Sequence, residues 1–374
     1  MSKVIKKERT SNFELMRIIS MLFIVMYHVI VHGKISTEAV GSYKFIINFI
    51  LSILIVHVNS LVFLTGYFSC NKNETKFKKV GKIIGKAWFY KAIIVILFFI
   101  FGVFPLTKIK IMEELLPLDL GNYWYINCYL ILIILIPYLN EVIKRMNKKQ
   151  FGKFIIILIL LLSIIPTATN CRVLYNDGFS IINFVLVYYI GAYFRKFPLK
   201  DNYHFKNMSK KEIQFLLLAT LIIVQIINFS FNNIGQNMMS YDSNILCYFG
   251  KIITDGFLRY SNPLVIIQTC AYCLLFETLN IKSNIINKIS MTTLGIYLIH
   301  DNALVRQWLY IFLKTRICNT ILNSLILILL DTLIIFSVSM LIEIIRIKLA
   351  SVILKIISKL KEKVKLKNAN CNRK

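Results

Sequence analysis

The feature that most limits the fold of this 374-residue chain is a series of long apolar runs. Most are about 20 residues long, the length at which a helix rising 1.5 Å per residue crosses a hydrocarbon layer about 30 Å thick. They lack the period-2 alternation of a transmembrane barrel. The sequence therefore predicts an all-α fold, a polytopic transmembrane helical bundle of about ten spans. The predicted spans are 13–32, 45–68, 83–104, 123–140, 153–169, 180–194, 212–231, 262–279, 289–312 and 320–345.

The overall composition agrees with a membrane protein. Hydrophobic residues make up 57% of the chain and charged residues 17%, against about 45–50% and about 25% in soluble domains. This excludes a disordered chain, a disulfide-rich mini-scaffold and an ordinary soluble enzyme. The apolar stretch 245–258 contains Lys251 and Asp255, so it is predicted as an interfacial or re-entrant segment rather than a span.

The formal charge of +27 would suggest a nucleic-acid partner in a soluble protein, but its distribution indicates topology. Alternate inter-span segments carry 32 and 9 basic residues, and basic loops stay in the cytoplasm. We therefore expect a multi-pass protein of the cell membrane, with both termini cytoplasmic, membrane lipids as partners and no nucleic acid. The predicted regions are a basic tail (1–12), a ten-helix membrane domain (13–345) and a basic tail (346–374). The second tail lies on anionic lipids or is a solvated, partly disordered segment.

Ionisable side chains inside spans are costly, so each is a candidate for function. Arg17 and His28 are eleven residues apart on the first span. Eleven steps of 100° end about 20° past three full turns, so both side chains share a face about 16 Å apart along the axis. This places an anion-binding group and a potential base on one stripe. The alternative is an arginine that reaches the headgroups and a purely structural histidine.

Other polar candidates lie at the ends and middles of later spans. Thr65 and Gly66 end the second span and are followed by a lysine cluster that includes Lys79 and Lys82. The ninth span contains Tyr297 and His300, and the tenth contains Asp331. His28, His300 and Asp331 have similar predicted depths, which indicates either a polar chamber or a structural His–Asp bridge.

Four short motifs resemble the acyltransferase 3 family of integral membrane acyltransferases. They are Arg17-x10-His28, the segment 63–68 (Phe-Leu-Thr-Gly-Tyr-Phe), Trp124-Tyr125-Ile126, and the segment 295–300 (Gly-Ile-Tyr-Leu-Ile-His). The resemblance covers residues 12–345. It implies a ten-helix enzyme that transfers acyl groups, usually acetyl, to extracytoplasmic sugars of cell-surface polysaccharides.

The resemblance also implies residue roles. His28 is expected to be catalytic, with Arg17 supporting it, and basic residues after the second span are expected to help bind acyl-CoA. Many members have Arg-x-x-Arg there, whereas this chain has Lys79-x-x-Lys82, and lysine is a point charge rather than a bidentate fork. Thr65 and Gly66 are further acyl-CoA-binding candidates.

In this hypothesis His28 acts as general base on a sugar hydroxyl or carries the acyl group covalently. Tyr297, His300 and Asp331 are candidates for orienting its ring or stabilising the oxyanion. Trp124 and Tyr125 either stack on a sugar or belong to an interfacial aromatic belt.

The expected partners are acyl-CoA and a cell-surface glycan or lipid-linked sugar, and the sequence leaves open a homo-oligomer. Acetyl-CoA is a co-substrate, and no bound cofactor is expected. No metal is expected either, because one Cys-x-x-Cys pair (Cys270 and Cys273) is a weak zinc signal.

Two other functions remain open from the sequence. A polysaccharide polymerase or other glycosyltransferase would be expected to carry a large, charged outer loop, and the longest one here, 232–261, has few acids. A non-enzymatic transporter or flippase of glycan precursors would be expected to show two related halves, and no internal repeat is detectable.

Overall fold

A computed structural model of the chain describes residues 10–102, 107, 111–112, 123–170, 176–314 and 320–371. The predicted basic tail 1–12 lies mostly outside the described residues. Within them the chain is helical, with short 3-10 turns at Asn176–Gly178 and Leu199–Asp201 and no strand. The helices are α1 (Ser11–His32), α2 (Ile35–Glu38), α3 (Gly41–Leu54), α4 (His57–Ser69), α5 (Phe77–Ile100), α6 (Trp124–Lys144), α7 (Lys148–Thr169, with a π turn at Leu160–Ile164), α8 (Ile181–Lys196), α9 (Tyr203–Lys206), α10 (Lys210–Met239), α11 (Asn244–Gly256), α12 (Pro263–Thr278), α13 (Asn284–Ser290), α14 (Thr293–His300), α15 (Ala303–Lys314) and α16 (Ile321–Cys371).

The all-α prediction is confirmed, and the chain is a multi-pass membrane protein by the length and composition of its helices. Seven described helical stretches are long and apolar enough to cross a membrane. They are Ser11–His32, Gly41–Ser69, Phe77–Ile100, Trp124–Lys144, Lys148–Thr169, Lys210–Met239 and Ile321–Ile353. The three other predicted spans correspond to shorter elements: α8 and α12, of 16 residues each, and the pair α14–α15.

Two predicted spans are interrupted within the bundle. The second is broken at Ile55 and Val56, between α3 and α4. The ninth, predicted as continuous over 289–312, is broken at Asp301 and Asn302, where the Asn302 side chain accepts a hydrogen bond of 3.0 Å from the Leu304 N–H and so starts α15. Ile55 and Val56 keep helical backbone angles, whereas Asp301 leaves the helical region. Non-helical backbone at membrane depth is tolerated where it is buried in protein or lines a cavity, so the break at Asp301 marks a candidate site.

Hydrogen bonds tie several inter-span segments together at one end of the bundle. Ser11 Oγ accepts the N–H of Ser283 at 3.0 Å, and Asn140 donates to the carbonyl oxygen of Ser69 at 2.8 Å. Lys196 Nζ donates to the Ile143 carbonyl oxygen at 3.0 Å. We call this end, which gathers segments predicted to be basic and cytoplasmic, the basic end.

The core is built around α1, which contributes to two clusters of buried apolar side chains. In one of them α4 and α8 are in backbone contact at two glycines. A side chain at Gly66 would meet the carbonyl of Tyr188, and one at Gly191 would meet the carbonyl of Phe63. Gly66 therefore serves helix packing, as small residues do in membrane bundles.

Two predicted peripheral segments are helical. The 245–258 segment forms most of α11, which packs on α10 through Gly235 and Gly250. The predicted tail 346–374 continues α16 without a break as far as Cys371. Large apolar side chains remain exposed along α5, α7, α10 and α16, as expected for surfaces that face lipid.

Candidate active site

One cavity of about 500 Å³ extends along α1 from Arg17, toward the basic end, to His28 and His32. Arg17 and His32 are fifteen residues apart, about 22 Å along a helix. The cavity therefore spans much of the depth of the bundle. Its lining includes most residues predicted from the sequence motifs: Arg17, His28, Thr65, Lys79, Trp124, Tyr125 and Tyr297.

Four predicted site residues do not line this cavity. Gly66 packs against α8 and exposed Lys82 lies outside the lining. His300 is hydrogen-bonded to His28 but does not itself line the cavity, as described below. Asp331, predicted to share the chamber because of its depth, lines a separate cavity of about 150 Å³ with Glu38. Depth alone does not specify the direction in which a helical side chain points, and the carboxylate beside His28 is Asp301 instead.

The hydrogen bonds of His300 determine the tautomer of His28. Nδ1 of His300 lies 2.6 Å from the carbonyl oxygen of Ile296. A carbonyl only accepts, so Nδ1 of His300 carries the proton and its Nε2 is an acceptor. That Nε2 lies 3.1 Å from Nδ1 of His28, which must therefore donate. The Nε2 lone pair of His28 is left unprotonated, as a general base requires.

Asp301 brings three nitrogen groups together at the break after α14. Its Oδ1 lies 3.5 Å from His28 Nδ1, 4.0 Å from His32 Nε2 and 3.5 Å from Arg306 Nη1. His32 and Arg306 were not predicted as site residues. The sequence signals are the His28-x3-His32 spacing, one helical turn, the adjacency of His300 and Asp301, and the presence of Asp301 and Arg306 as ionisable residues inside a predicted span.

Basic residues line the half of the cavity toward the basic end. Arg17 is paired with Glu14 at 3.0 Å, and Glu14 accepts a hydrogen bond of 2.5 Å from the Ser290 hydroxyl. Lys79 donates to the Tyr129 hydroxyl at 2.7 Å, and Tyr129 stacks on Tyr125. Both cations are partly or fully exposed, so an anionic ligand can reach them.

Aromatic rings form the wall of the cavity near His28. Trp124 stacks on Tyr260 with ring centroids 5.9 Å apart, and Phe179 packs on Trp124 at 4.6 Å. Buried His57 holds the Tyr260 hydroxyl at 3.0 Å through Nε2, while its Nδ1 lies 2.6 Å from the carbonyl oxygen of Leu54. Phe179 and Tyr260 were not predicted, because no local pattern distinguishes them from other buried aromatic residues. His57 is an ionisable residue inside a predicted span, but it belongs to none of the sequence motifs.

A buried ion cluster positions α14, the helix that ends at His300. Glu343 is fully buried and pairs with Lys86 Nζ at 2.7 Å and with Arg346 through two bonds of 2.7 Å. It also accepts from the Tyr90 hydroxyl. A Cβ at Gly295 would lie 2.5 Å from the Glu343 carboxyl carbon. The absence of a side chain at this position therefore lets α14 pack directly on α16.

The fold and the cavity together define a multi-pass membrane protein with a deep cavity lined by basic residues at one end and by histidines at the other. A family model for an acyltransferase domain matches residues 10–345. The chain therefore belongs to the acyltransferase 3 family, as its sequence motifs predicted, and is a membrane acyltransferase. No curated protein matches the chain significantly, and no solved structure does.

Proposed function

We propose that this protein transfers an acyl group, most simply acetyl, from cytoplasmic acyl-CoA to a hydroxyl of an extracytoplasmic cell-surface polysaccharide or its lipid-linked precursor. The observation that carries the proposal is the single cavity that joins Arg17 and Lys79 to His28. It offers cations to a polyanionic donor at one end and a histidine base about 16 Å further along.

The donor end rests on charge and exposure. Arg17 and Lys79 face the cavity with their cationic groups accessible, and both can contact the phosphates of acyl-CoA. The pantetheine arm then lies along α1 and presents the thioester near His28. This arrangement requires the basic end to be cytoplasmic, in agreement with the distribution of basic residues.

The chemistry follows from the tautomer of His28. Nε2 takes the proton of the acceptor hydroxyl as the hydroxyl oxygen attacks the thioester carbonyl carbon. Collapse of the tetrahedral intermediate forms the ester and breaks the C–S bond, and the imidazolium returns its proton to the departing CoA thiolate. His300 holds the ring through Nδ1, and the negative charge of Asp301 beside that nitrogen favours the transient imidazolium.

The acceptor end rests on the aromatic wall. Trp124 and Tyr260 line the same cavity as His28, with the Tyr260 hydroxyl on His57, and Tyr125 lines it beside Trp124. Flat aromatic faces suit the apolar face of a sugar ring, and a hydroxyl on that sugar can reach Nε2 of His28. This geometry favours a carbohydrate acceptor over a protein or a simple lipid.

Transfer of labelled acetyl from acetyl-CoA in inverted membrane vesicles tests the proposal. The label should enter the glycan fraction and be released by mild alkali, because the product is an ester. Vesicles with the His28→Ala variant should show no such label. If neither the glycan nor its lipid-linked precursor becomes labelled, the proposed acceptor is excluded. Competition by longer acyl-CoAs would identify the acyl group.

A further inference from the structure

The end of the cavity away from the basic end has the composition of a metal site. His28, His32 and Asp301 each offer one ligand atom, and these three atoms lie within 4.8 Å of one another. The two histidines are one turn apart on α1, with ring centroids 4.8 Å apart. Paired histidines at this spacing on a helix, completed by a carboxylate from another element, are a common way of binding Zn²⁺.

The distances suit a small divalent ion. Zn²⁺ binds nitrogen and oxygen at about 2.0–2.2 Å with tetrahedral geometry, which separates neighbouring ligand atoms by about 3.4 Å. The Asp301 Oδ1 atom is 3.5 Å from His28 Nδ1 and 4.0 Å from His32 Nε2. Since the three atoms lie within 4.8 Å of one another, completing the coordination requires pairs of them to approach by up to about 1.4 Å.

The surroundings also permit binding. The side chains of His28 and His32 are 14% and 30% exposed, so an ion can reach them through the cavity, whereas that of Asp301 is 4% exposed. Oδ1 of Asp301 has no partner with good hydrogen-bond geometry among the described residues, and the Tyr297 hydroxyl is the neighbouring group that interacts with this carboxyl. The positively charged Arg306 lies 3.5 Å from the same oxygen and repels a metal ion bound there. We therefore expect metal binding to be reversible.

We propose that His28, His32 and Asp301 form an inhibitory site for a divalent transition-metal ion, with Zn²⁺ as the best fit. Coordination by Nδ1 of His28 displaces the proton on that nitrogen and breaks its hydrogen bond to His300, so the single proton of the neutral imidazole then resides on Nε2. Nε2 can no longer accept the proton of an acceptor hydroxyl. The metal site stands on its own geometry, whereas its inhibitory effect rests on the proposed function of His28.

Binding is tested first without substrate, on the purified full-length protein in detergent micelles. Co²⁺ serves as the probe because tetrahedral Co²⁺ absorbs visible light, and Zn²⁺ should displace it. One Co²⁺ per chain is expected. His32→Ala and His32→Gln should each weaken binding by more than about tenfold, since even outer-shell changes cost 10–100-fold. His204→Ala, which changes an exposed histidine outside the cavity, is the matched control.

A change of the opposite sign is expected for Arg306→Gln, which removes the competing cation and should tighten Co²⁺ binding. Each variant is first checked for a monodisperse elution profile. Absence of stoichiometric Co²⁺ binding, or equal binding by wild type and both His32 variants, would overturn the site.

Transfer assays then test the effect of the metal, each variant being normalised to its own metal-free rate. Zn²⁺ should inhibit the wild type, and His32→Gln should need more than about ten times as much Zn²⁺. Activation by Zn²⁺, or equal inhibition of both proteins, would overturn the inhibitory role. If the protein binds Co²⁺ but never transfers acetyl, the metal-site proposal stands and the proposed function is refuted.

Discussion

Nδ1 of His28 lies 3.1 Å from Nε2 of His300, a residue 272 positions away in the chain. The Ile296 carbonyl oxygen fixes the proton of His300 on Nδ1, so the proton between the two rings belongs to His28. One backbone carbonyl, a turn before the end of α14, thus determines which nitrogen of His28 is left unprotonated.

Replacing His28 tests the proposed base. His28→Ala should lower transfer by about 10²–10⁴-fold, the usual contribution of a general base. Expression and membrane insertion should be unaffected, because an apolar residue costs less in a membrane than an imidazole. His204→Ala is the control and should retain wild-type transfer in the vesicle assay. Near-normal transfer by His28→Ala would make this histidine structural.

Replacing His300 tests how the ring of His28 is held. His300→Ala removes the acceptor for Nδ1, so kcat should fall by about 10- to 100-fold, as for a partner that orients a ligating or catalytic ring. The KM for acyl-CoA should stay unchanged, because His300 does not line the cavity. His300→Gln restores a hydrogen-bond acceptor and should recover part of the loss. Equal rates for both variants would argue against control of the tautomer.

The two lysines predicted to bind acyl-CoA should behave differently. Lys79 lines the cavity, whereas Lys82 is equally exposed but does not. Lys79→Ala should raise the KM for acyl-CoA by about two- to fivefold, and added salt should reduce the difference from wild type because exposed charges are screened. Lys82→Ala is the matched control. Equal effects of the two changes would indicate that neither lysine binds acyl-CoA specifically and that both only contribute to the membrane topology.

The hydroxyl of Tyr260 is expected to matter for the acceptor and not for the donor. Tyr260→Phe keeps the ring that stacks on Trp124 but removes the hydrogen bond to His57. The acceptor KM, measured with an oligosaccharide of the recipient glycan, should rise about two- to tenfold, the equivalent of one hydrogen bond. Tyr272→Phe, outside the cavity, serves as the comparison. A rise in donor KM alone would contradict the proposed arrangement.

Thiol labelling of intact cells tests the orientation of the bundle. In a cysteine-free background, Ser240→Cys at the end of α10 should react with an impermeant reagent. Asn147→Cys, at the basic end between α6 and α7, should react only after permeabilisation. Both positions are exposed at the protein surface, so a difference in labelling reports the side of the membrane and not burial of the residue. The opposite pattern would place Arg17 on the wrong side for acyl-CoA.

The sequence determined the features that depend on local periodicity and composition. Long apolar runs specify membrane helices whatever their neighbours, because backbone polar groups in lipid must bond within their own segment. The eleven-residue spacing of Arg17 and His28 places both on one face of α1, and both line the same cavity. The motifs that include Thr65, Trp124 and Tyr297 likewise identified residues that line it.

Only the tertiary structure decided which distant groups meet His28. Asp331 was expected there because of its depth, yet Asp301 occupies the position because α14 ends at His300 and Asn302 begins a new helix. Breaks of this kind depend on capping and on packing against other helices, here through Gly295 and Glu343. Helical periodicity gives the relative directions of side chains on one helix, but the rotation of that helix in the bundle is set by its neighbours.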